Sequence, residues 1–293
     1  MILSKIKTFI QIATGYRHKW LINLGLIPPC PLSPEENERK VVVSLTSFGR
    51  RVSKGVLFYS LVSLLRQSRK PDKIIVWLSQ DEFSDTSLPR RLRNLKEYGV
   101  EFKYCVDIGS YKKLIYSLKL FPEDIIITVD DDHIYHRDLI ANLLEAHYNS
   151  PLDIVCSCAT FPVVEGNSFA PYRKWNRGVS NPMGNTSVMP IGGAGILYPP
   201  HSLHPDVFDQ DLYMRLCPLA DDIWFWWMAK RNGTRHSTVK SNTPFGYPFD
   251  GFYQFIHHGS ALTHFNRKKN MNDVQLINLL QHFNLTASQF LAL

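Results

Sequence analysis

Short apolar runs rich in β-branched residues alternate with stretches of helical spacing over the first half of the chain. VVVSL (41–45), KIIVWL (73–78) and DIIITV (124–129) read as strands, and their unbroken apolar character suits a sheet covered on both faces. Between the first two, Val56, Leu57, Leu61, Leu64 and Leu65 recur at helical spacing until Pro71 ends the pattern. A basic helix, RRLRNLKEYG, stops at Gly99, and Val100, Phe102, Tyr104 and Val106 then alternate as a half-buried strand. A further helix over 111–120 ends before Pro122. Strands alternating with helices predict an α/β fold with an open, doubly wound, Rossmann-like, mostly parallel sheet flanked by helices. Ligands of such sheets bind beyond the carboxyl ends of the strands, which places the loops after Leu45, Leu78, Val106 and Val129 along one rim.

From residue 152 onward the regularity fades. Loops rich in Pro, Gly and Asn (161–189) precede the turn PIGGAGILYPP (190–200), a strongly apolar helix near 222–231 and a last helix near 272–283. The expected organisation is an N-terminal amphipathic helix with a Pro-rich linker over 1–40, then a single domain over 41–293. Its sheet half, 41–135, is expected to hold one ligand and its loop-rich half, 136–293, another.

In the N-terminal stretch, Ile2, Ile6, Phe9 and Ile10 share one helical face, with Lys5 and Lys7 available to anionic headgroups. Two readings stand side by side: a membrane-surface helix, and a helix packed on its own domain or on a partner chain. Lys5, Lys7, Arg17, His18 and Lys19 interrupt the segment, so no apolar run approaches the roughly 18 residues of a spanning helix. A continuous apolar core and cleavage site of a signal peptide are also missing.

With 293 residues, 44% of them hydrophobic, the chain can bury a sizeable core, which excludes fibrous and low-complexity classes. Thirty-three Lys plus Arg against 26 Asp plus Glu leave a net charge of +7. That excess suits a phosphate-bearing ligand or a membrane surface and is too small to imply a nucleic-acid partner. The five cysteines are odd in number and lack C-x-x-C spacing, so they read as reduced thiols of a cytoplasmic protein.

The strongest chemical feature is VDDDHIYH, where Asp130, Asp131 and Asp132 stand at the end of an apolar strand. Adjacent like charges cost stability, so a cation is expected there. Oxygen ligands suit Mg²⁺ or Mn²⁺, and Mg²⁺ takes one or two carboxylates plus substrate phosphates. In PLADDIWFWWMAKRNG, Asp221 and Asp222 open an apolar helix, either as simple caps or as a general base whose proton affinity is raised by a Trp-rich environment. Gly192 and Gly193 allow close backbone approach to a ligand, though a tight turn explains them equally. Thr46, Ser47, Arg50 and Arg51 follow the first strand; Lys112 and Lys113 follow DIGSY. Either basic pair could neutralise a diphosphate or face water. Of the late histidines, His264 is the candidate to complete a metal shell. No Walker-type or dinucleotide glycine motif is present.

Taken together, VVVSLTSFGRR, KIIVWLSQDEF, DIGSYKKLIYSLKLFPEDIIITVDDDHIY, the GG turn and ADDIWFW resemble bacterial GT-A fold glycosyltransferases of the capsule and lipopolysaccharide type, over roughly residues 41–283. The resemblance implies a GT-A-like fold with a loop-rich acceptor half, a nucleotide-diphosphate sugar donor, a glycan or lipid-linked acceptor, and Mn²⁺ or Mg²⁺. It implies that Asp130 helps hold ribose or metal, that Asp132 coordinates the ion, and that Asp221 or Asp222, the latter favoured, is the base of an inverting transfer. Asp81 and Asp107 match the positions that face the nucleotide base, and Gly192 with Gly193 the turn against the donor sugar. A cytoplasmic location, peripheral at the inner face of the cell membrane, goes with these roles. The sequence departs from the commonest inverting members in having SYKKLIYSL where they carry N-x-G-x-x-x-A-R-N. The aromatics Tyr172, Trp175, Trp224, Trp226, Trp227, Phe252 and Tyr253 suit an apolar platform under a sugar ring. Two rivals remain. A sugar nucleotidyltransferase shares the sheet and carboxylates but calls for a richer Gly/Lys/Arg loop than LTSFGRR. A non-catalytic carbohydrate-binding protein explains the tryptophans but not the Asp triplet.

Overall fold

A computed structural model describes residues 2–33, 39–178, 181, 184, 187–240, 245–249 and 270–293, with residues 2–8 as backbone only. The β-branched runs form the centre of a seven-stranded sheet. Its strands are β1 (Val41–Thr46), β2 (Lys73–Ser79), β3 (Val100–Cys105), β4 (Ile125–Thr128), β6 (Ile154–Cys156), β12 (Ile196–Tyr198) and β13 (His236–Thr238); β5 (His133–Tyr135) lies outside it. The order is β13-β6-β12-β4-β1-β2-β3. All neighbours run parallel except β12, which is antiparallel to both β4 and β6. This is the mostly parallel, helix-flanked α/β sheet expected from the alternating pattern.

Side-chain alternation splits the core between the two faces of the sheet. Val41, Val43 and Leu45 of β1 point to a cluster with helix α3 (Val56–Leu65) and helix α6 (Leu139–Asn149). Ile126 and Ile196 point the other way, to a cluster built on α5 (Lys112–Leu120) and α8 (Asp221–Arg231). Every residue of α8 from Ile223 to Lys230 is buried, so this helix is apolar nearly all round because protein surrounds it. Trp227 stacks on Phe290 at 3.8 Å between ring centroids and Trp226 meets the same ring edge-on at 4.8 Å. With Trp224 also fully buried, these tryptophans are core and not a sugar platform; Phe252 and Tyr253 lie outside the described residues.

The basic segment after Pro89 is shorter as an α-helix than its pattern predicts. It forms α4 (Arg90–Arg93) and then a 3-10 stretch (Asn94–Tyr98), ending at Gly99 with φ of 97°, the left-handed stop expected of glycine. The N-terminal helix α1 (Ile2–Asn23) packs beside β14 (Gly246–Pro248), which pairs antiparallel with β5. All five cysteines are free thiols. Among the described residues no helix is long and apolar enough to cross a membrane.

Candidate functional site

Because β1 and β4 run parallel and end at the same rim, Ser47 and the Asp triplet emerge side by side. The one antiparallel strand, β12, begins at that rim, with Ile196 opposite Thr128, so the Gly192–Gly193 turn just before it arrives there too. The amino end of α8 brings Asp221 and Asp222 to the same point.

Each carboxylate of the triplet has a different role in this geometry. Asp131 is sealed inside: it accepts from Ser47 Oγ and from Arg51 Nη1. Burial raises its carboxyl to about 6, against the pull of Arg51. Asp132 accepts from His133 Nδ1 at 2.8 Å, and Arg51 Nη2 lies 3.1 Å from its other oxygen. Burial opposes its ionisation, but His133 and Arg51 together hold it well below the usual carboxylate range. Arg51 is a half-buried cation, held charged against desolvation by Asp131 and Asp132. Asp130 is the most open of the three, its side chain 38% exposed, with Oδ1 accepting from Lys113 Nζ at 3.0 Å.

The backbone of the turn is fixed from α3. Ser60 Oγ lies 2.7 Å from the carbonyl oxygens of both Asp131 and His133, and Ser63 Oγ accepts the Tyr135 N–H at 3.0 Å. Tyr135 Oη accepts the Asp130 N–H at 2.7 Å and sits 3.3 Å from the Gly193 carbonyl, tying the triplet to the glycine turn. None of Ser60, Ser63, His133 or Tyr135 stands out by spacing alone. The one legible signal is the pair of serines, three apart, on a helix otherwise wholly apolar.

Lys113 is the hub between the two acidic groups. Ser44 of β1 bonds to Ser117 Oγ at 2.7 Å, and Trp77 Nε1 donates to Ser117 at 2.8 Å, which fixes α5 on the sheet. With α5 so fixed, Lys113 Nζ reaches Asp130 and also lies 3.2 Å from Asp221 Oδ2. Burial would favour the neutral amine, but Asp130, Asp221 and Asp222 outweigh it and keep the ammonium charged.

Asp222 does not cap its own helix: the cap position is Ala220, and Asp222 Oδ2 accepts the Gly192 N–H at 3.0 Å. Its side chain is half-buried. Desolvation, with the negative charge of Asp221, pushes it up to about 7. The glycines are required here. A Cβ on Gly192 would come within 2.3 Å of Asp222 Oδ1, and one on Gly193 within 2.8 Å of Asp130 Oδ2.

The structure thus brings together Ser47, Arg51, Lys113, Asp130, Asp131, Asp132, Gly192, Gly193, Asp221 and Asp222. The other expected residues do not join this cluster. Thr46 Oγ1 is spent on the Trp77 carbonyl at 2.8 Å, and Arg50 and Asp81 are exposed. Lys112 pairs with Asp107, which also accepts the Gly109 N–H at 2.9 Å and is held ionised by these partners despite partial burial. His264 lies outside the described residues.

Among the described residues no trio of His, Cys, Asp or Glu is arranged to hold a metal. The oxygen chemistry suits a hard divalent ion that draws its remaining ligands from a diphosphate, but only Asp130 presents an open carboxylate oxygen, beside Gly193. Asp132, two residues on, is ionised with both oxygens engaged by His133 and Arg51, so it would have to exchange one of these partners for the ion.

No family model and no curated protein matches the sequence. Among solved structures, the chain is similar to the mannosyltransferase PcManGT from Pyrobaculum calidifontis in complex with GDP-Man and Mn²⁺. That match has 16% identity and a TM-score of 0.43, covering 81% of this chain and 64%, under two thirds, of that one. It is similar to S. aureus TarS 1–349, with 14% identity, 84% and 72% coverage and a TM-score of 0.43. A CMP:2-keto-3-deoxy-manno-octonic acid synthetase complexed with CTP gives 12% identity, 75% and 97% coverage and a TM-score of 0.44.

Proposed function

We propose that the protein is a glycosyltransferase that moves a sugar from a nucleotide-diphosphate donor to a hydroxyl of a glycan or lipid-linked acceptor in surface polysaccharide assembly. The observation that carries this reading is the glycine turn held between Asp130 and Asp222. Gly193, half-buried beside the diphosphate-side carboxylate, with the buried Gly192 holding the proton acceptor next to it, suits a sugar ring at the point of transfer. Residues 41–135 hold the donor and 136–293 the acceptor within one catalytic unit.

Asp130 and Asp132 would hold Mn²⁺ or Mg²⁺, which supplies Lewis-acid stabilisation of the departing diphosphate. Lys113 adds a fixed positive charge beside Asp130. Asp222 accepts the proton of the attacking hydroxyl as its oxygen bonds to the anomeric carbon and the bond to the diphosphate breaks, inverting that centre. A carboxylate brought to about 7 is well matched to that task. Asp221, facing Lys113, raises the proton affinity of Asp222 by its charge.

Against the nucleotidyltransferase reading stands the placement of Arg51. On the short helix α2 (Gly49–Ser53) after the first strand, its guanidinium is turned inward onto Asp131 and Asp132, where it is not presented to a triphosphate. The deciding experiment is a thermal-shift panel of nucleoside diphosphates, triphosphates and nucleotide sugars, with and without Mn²⁺. A Mn²⁺-dependent shift with one nucleoside diphosphate and its sugar, lost in Asp132→Ala, is expected. Stabilisation by triphosphates alone would replace this reading with nucleotidyl transfer.

A further inference from the structure

Helix α1 packs on the protein with one side only. Gly15 lies against Pro248 of β14, where a Cβ would come within 2.3 Å of the carbonyl oxygen. His18 stacks on Tyr247 at 5.5 Å between centroids, the Lys19 ammonium lies 5.2 Å from the centre of the Tyr59 ring, and Ile22 is buried in the α3 cluster. At 100° per residue, positions 15, 18, 19 and 22 share one arc of the helix.

The opposite arc carries Phe9 and Trp20, with Ile10 at its edge. These side chains are 73%, 61% and 56% exposed, and the turn after the helix adds Leu24 and Leu26 at 53% and 65%. Single exposed apolar residues are ordinary on a protein surface, but a crest of five along one helix and its following turn is not. The helix itself carries charge of one sign: residues 2–23 contain Lys5, Lys7, Arg17 and Lys19 and no carboxylate. At the far end, Arg91 Nη2 donates to Asn23 Oδ1 at 3.2 Å, bringing the exposed Arg90 and Arg93 of α4 alongside.

We propose that this crest is a docking surface for an anionic lipid bilayer. Phe9, Ile10 and Trp20 enter the interfacial layer while the surrounding arginines meet headgroup phosphates. A convex aromatic ridge suits a deformable interface better than it suits a protein partner, which would have to supply a matching groove. The attachment to the rest of the molecule is stiff. Pro248 of β14 pairs with His133 of β5, and His133 donates to Asp132, so one layer of ribbon separates the docked helix from the carboxylate triplet.

The test is flotation of the full chain with vesicles of phosphatidylcholine alone and with about 30% phosphatidylglycerol, at low and high salt. Binding is expected only to the anionic vesicles and should weaken as salt rises. The double variant Ile10→Glu/Trp20→Glu should lose at least about tenfold in vesicle binding, since it removes two inserted side chains and adds two repelled charges. Its melting temperature should hold, because both side chains face solvent. Asp132→Ala should float like the wild type, so the docking surface stands or falls apart from the transfer chemistry. Absence of wild-type binding, or equal flotation of the double variant, would overturn the proposal. So would a lipid-free dimer that the double variant turns into a monomer, since a second copy would then cover the crest.

Discussion

The carboxylate of Asp222 occupies the space that any side chain on Gly192 would need. The Gly192 N–H donates to Oδ2 at 3.0 Å, and a Cβ at Gly192 would stand 2.3 Å from Oδ1. Gly192→Ala should therefore displace the proposed base at modest cost to the fold. A fall in kcat of about 10²-fold or more is expected, within the range for losing a positioned acid-base group. The check pairs steady-state kinetics with nucleoside-diphosphate binding, which should change little; full turnover in the variant would show that Asp222 is not the base.

Asp222→Asn should lower kcat by about 10²–10⁴-fold while leaving donor affinity intact. In the wild type, kcat/KM should rise with pH and level off above about 7, because the carboxyl, pushed up to about 7 by burial and Asp221, must be ionised to accept a proton. The variant should lack that limb.

The same residue sets a trend in stability. The folded chain holds the Asp222 proton up to about 7, whereas the unfolded chain releases it near 3.8. Between those values the native state binds more protons, so wild-type stability from this group falls as pH rises. Asp222→Asn escapes that loss. Its advantage in melting temperature should grow from pH 4 to pH 7, reaching about 2–6 °C, and then stay constant, as scanning calorimetry at stepped pH would show.

Arg51→Ala should leave Asp131 and Asp132 buried without their shared cation. Breaking a buried pair from one side costs about 3–5 kcal/mol, to be read from urea unfolding at pH 7. Arg51→Lys should recover only part of this, because a single ammonium cannot reproduce the two-pronged contact. Arg50→Ala, at an exposed neighbour, should stay within about 0.5 kcal/mol of the wild type.

Gly15→Leu should lift α1 from β14, since the carbonyl of Pro248 leaves no room for a side chain. Limited proteolysis near the Pro-rich linker should accelerate in this variant. Unchanged cleavage would mean that the helix is held elsewhere.

The central strands, the Asp triplet and the late acidic pair were legible because each announces itself locally, through unbroken β-branched runs or adjacent carboxylates. Assigning neighbours was not possible at that level. Lys112 and Lys113 are identical in type, yet the roughly 100° step between neighbours on α5 sends the first to Asp107 and the second inward to Asp130 and Asp221. Arg50 and Arg51 differ in the same way. The fate of the aromatics depended on the environment of α8, which long-range packing decides. For α1, the packing of one arc on its own domain is what the structure shows, while Phe9 and Ile10 face away from it.

The reversed direction of β12 bears on the order in which the molecule assembles. Asp130 is carried by the early, sequentially compact part of the sheet, but its facing glycines arrive only when Ile196 pairs with Thr128, 68 residues earlier in the chain, and Asp222 only when α8 packs after that. Contacts of such long range form slowly, because loop closure must precede them. A nascent chain can therefore shape the Asp130 side of the rim well before Gly192, Gly193 and Asp222 join it, and the geometry that the proposed transfer needs appears last.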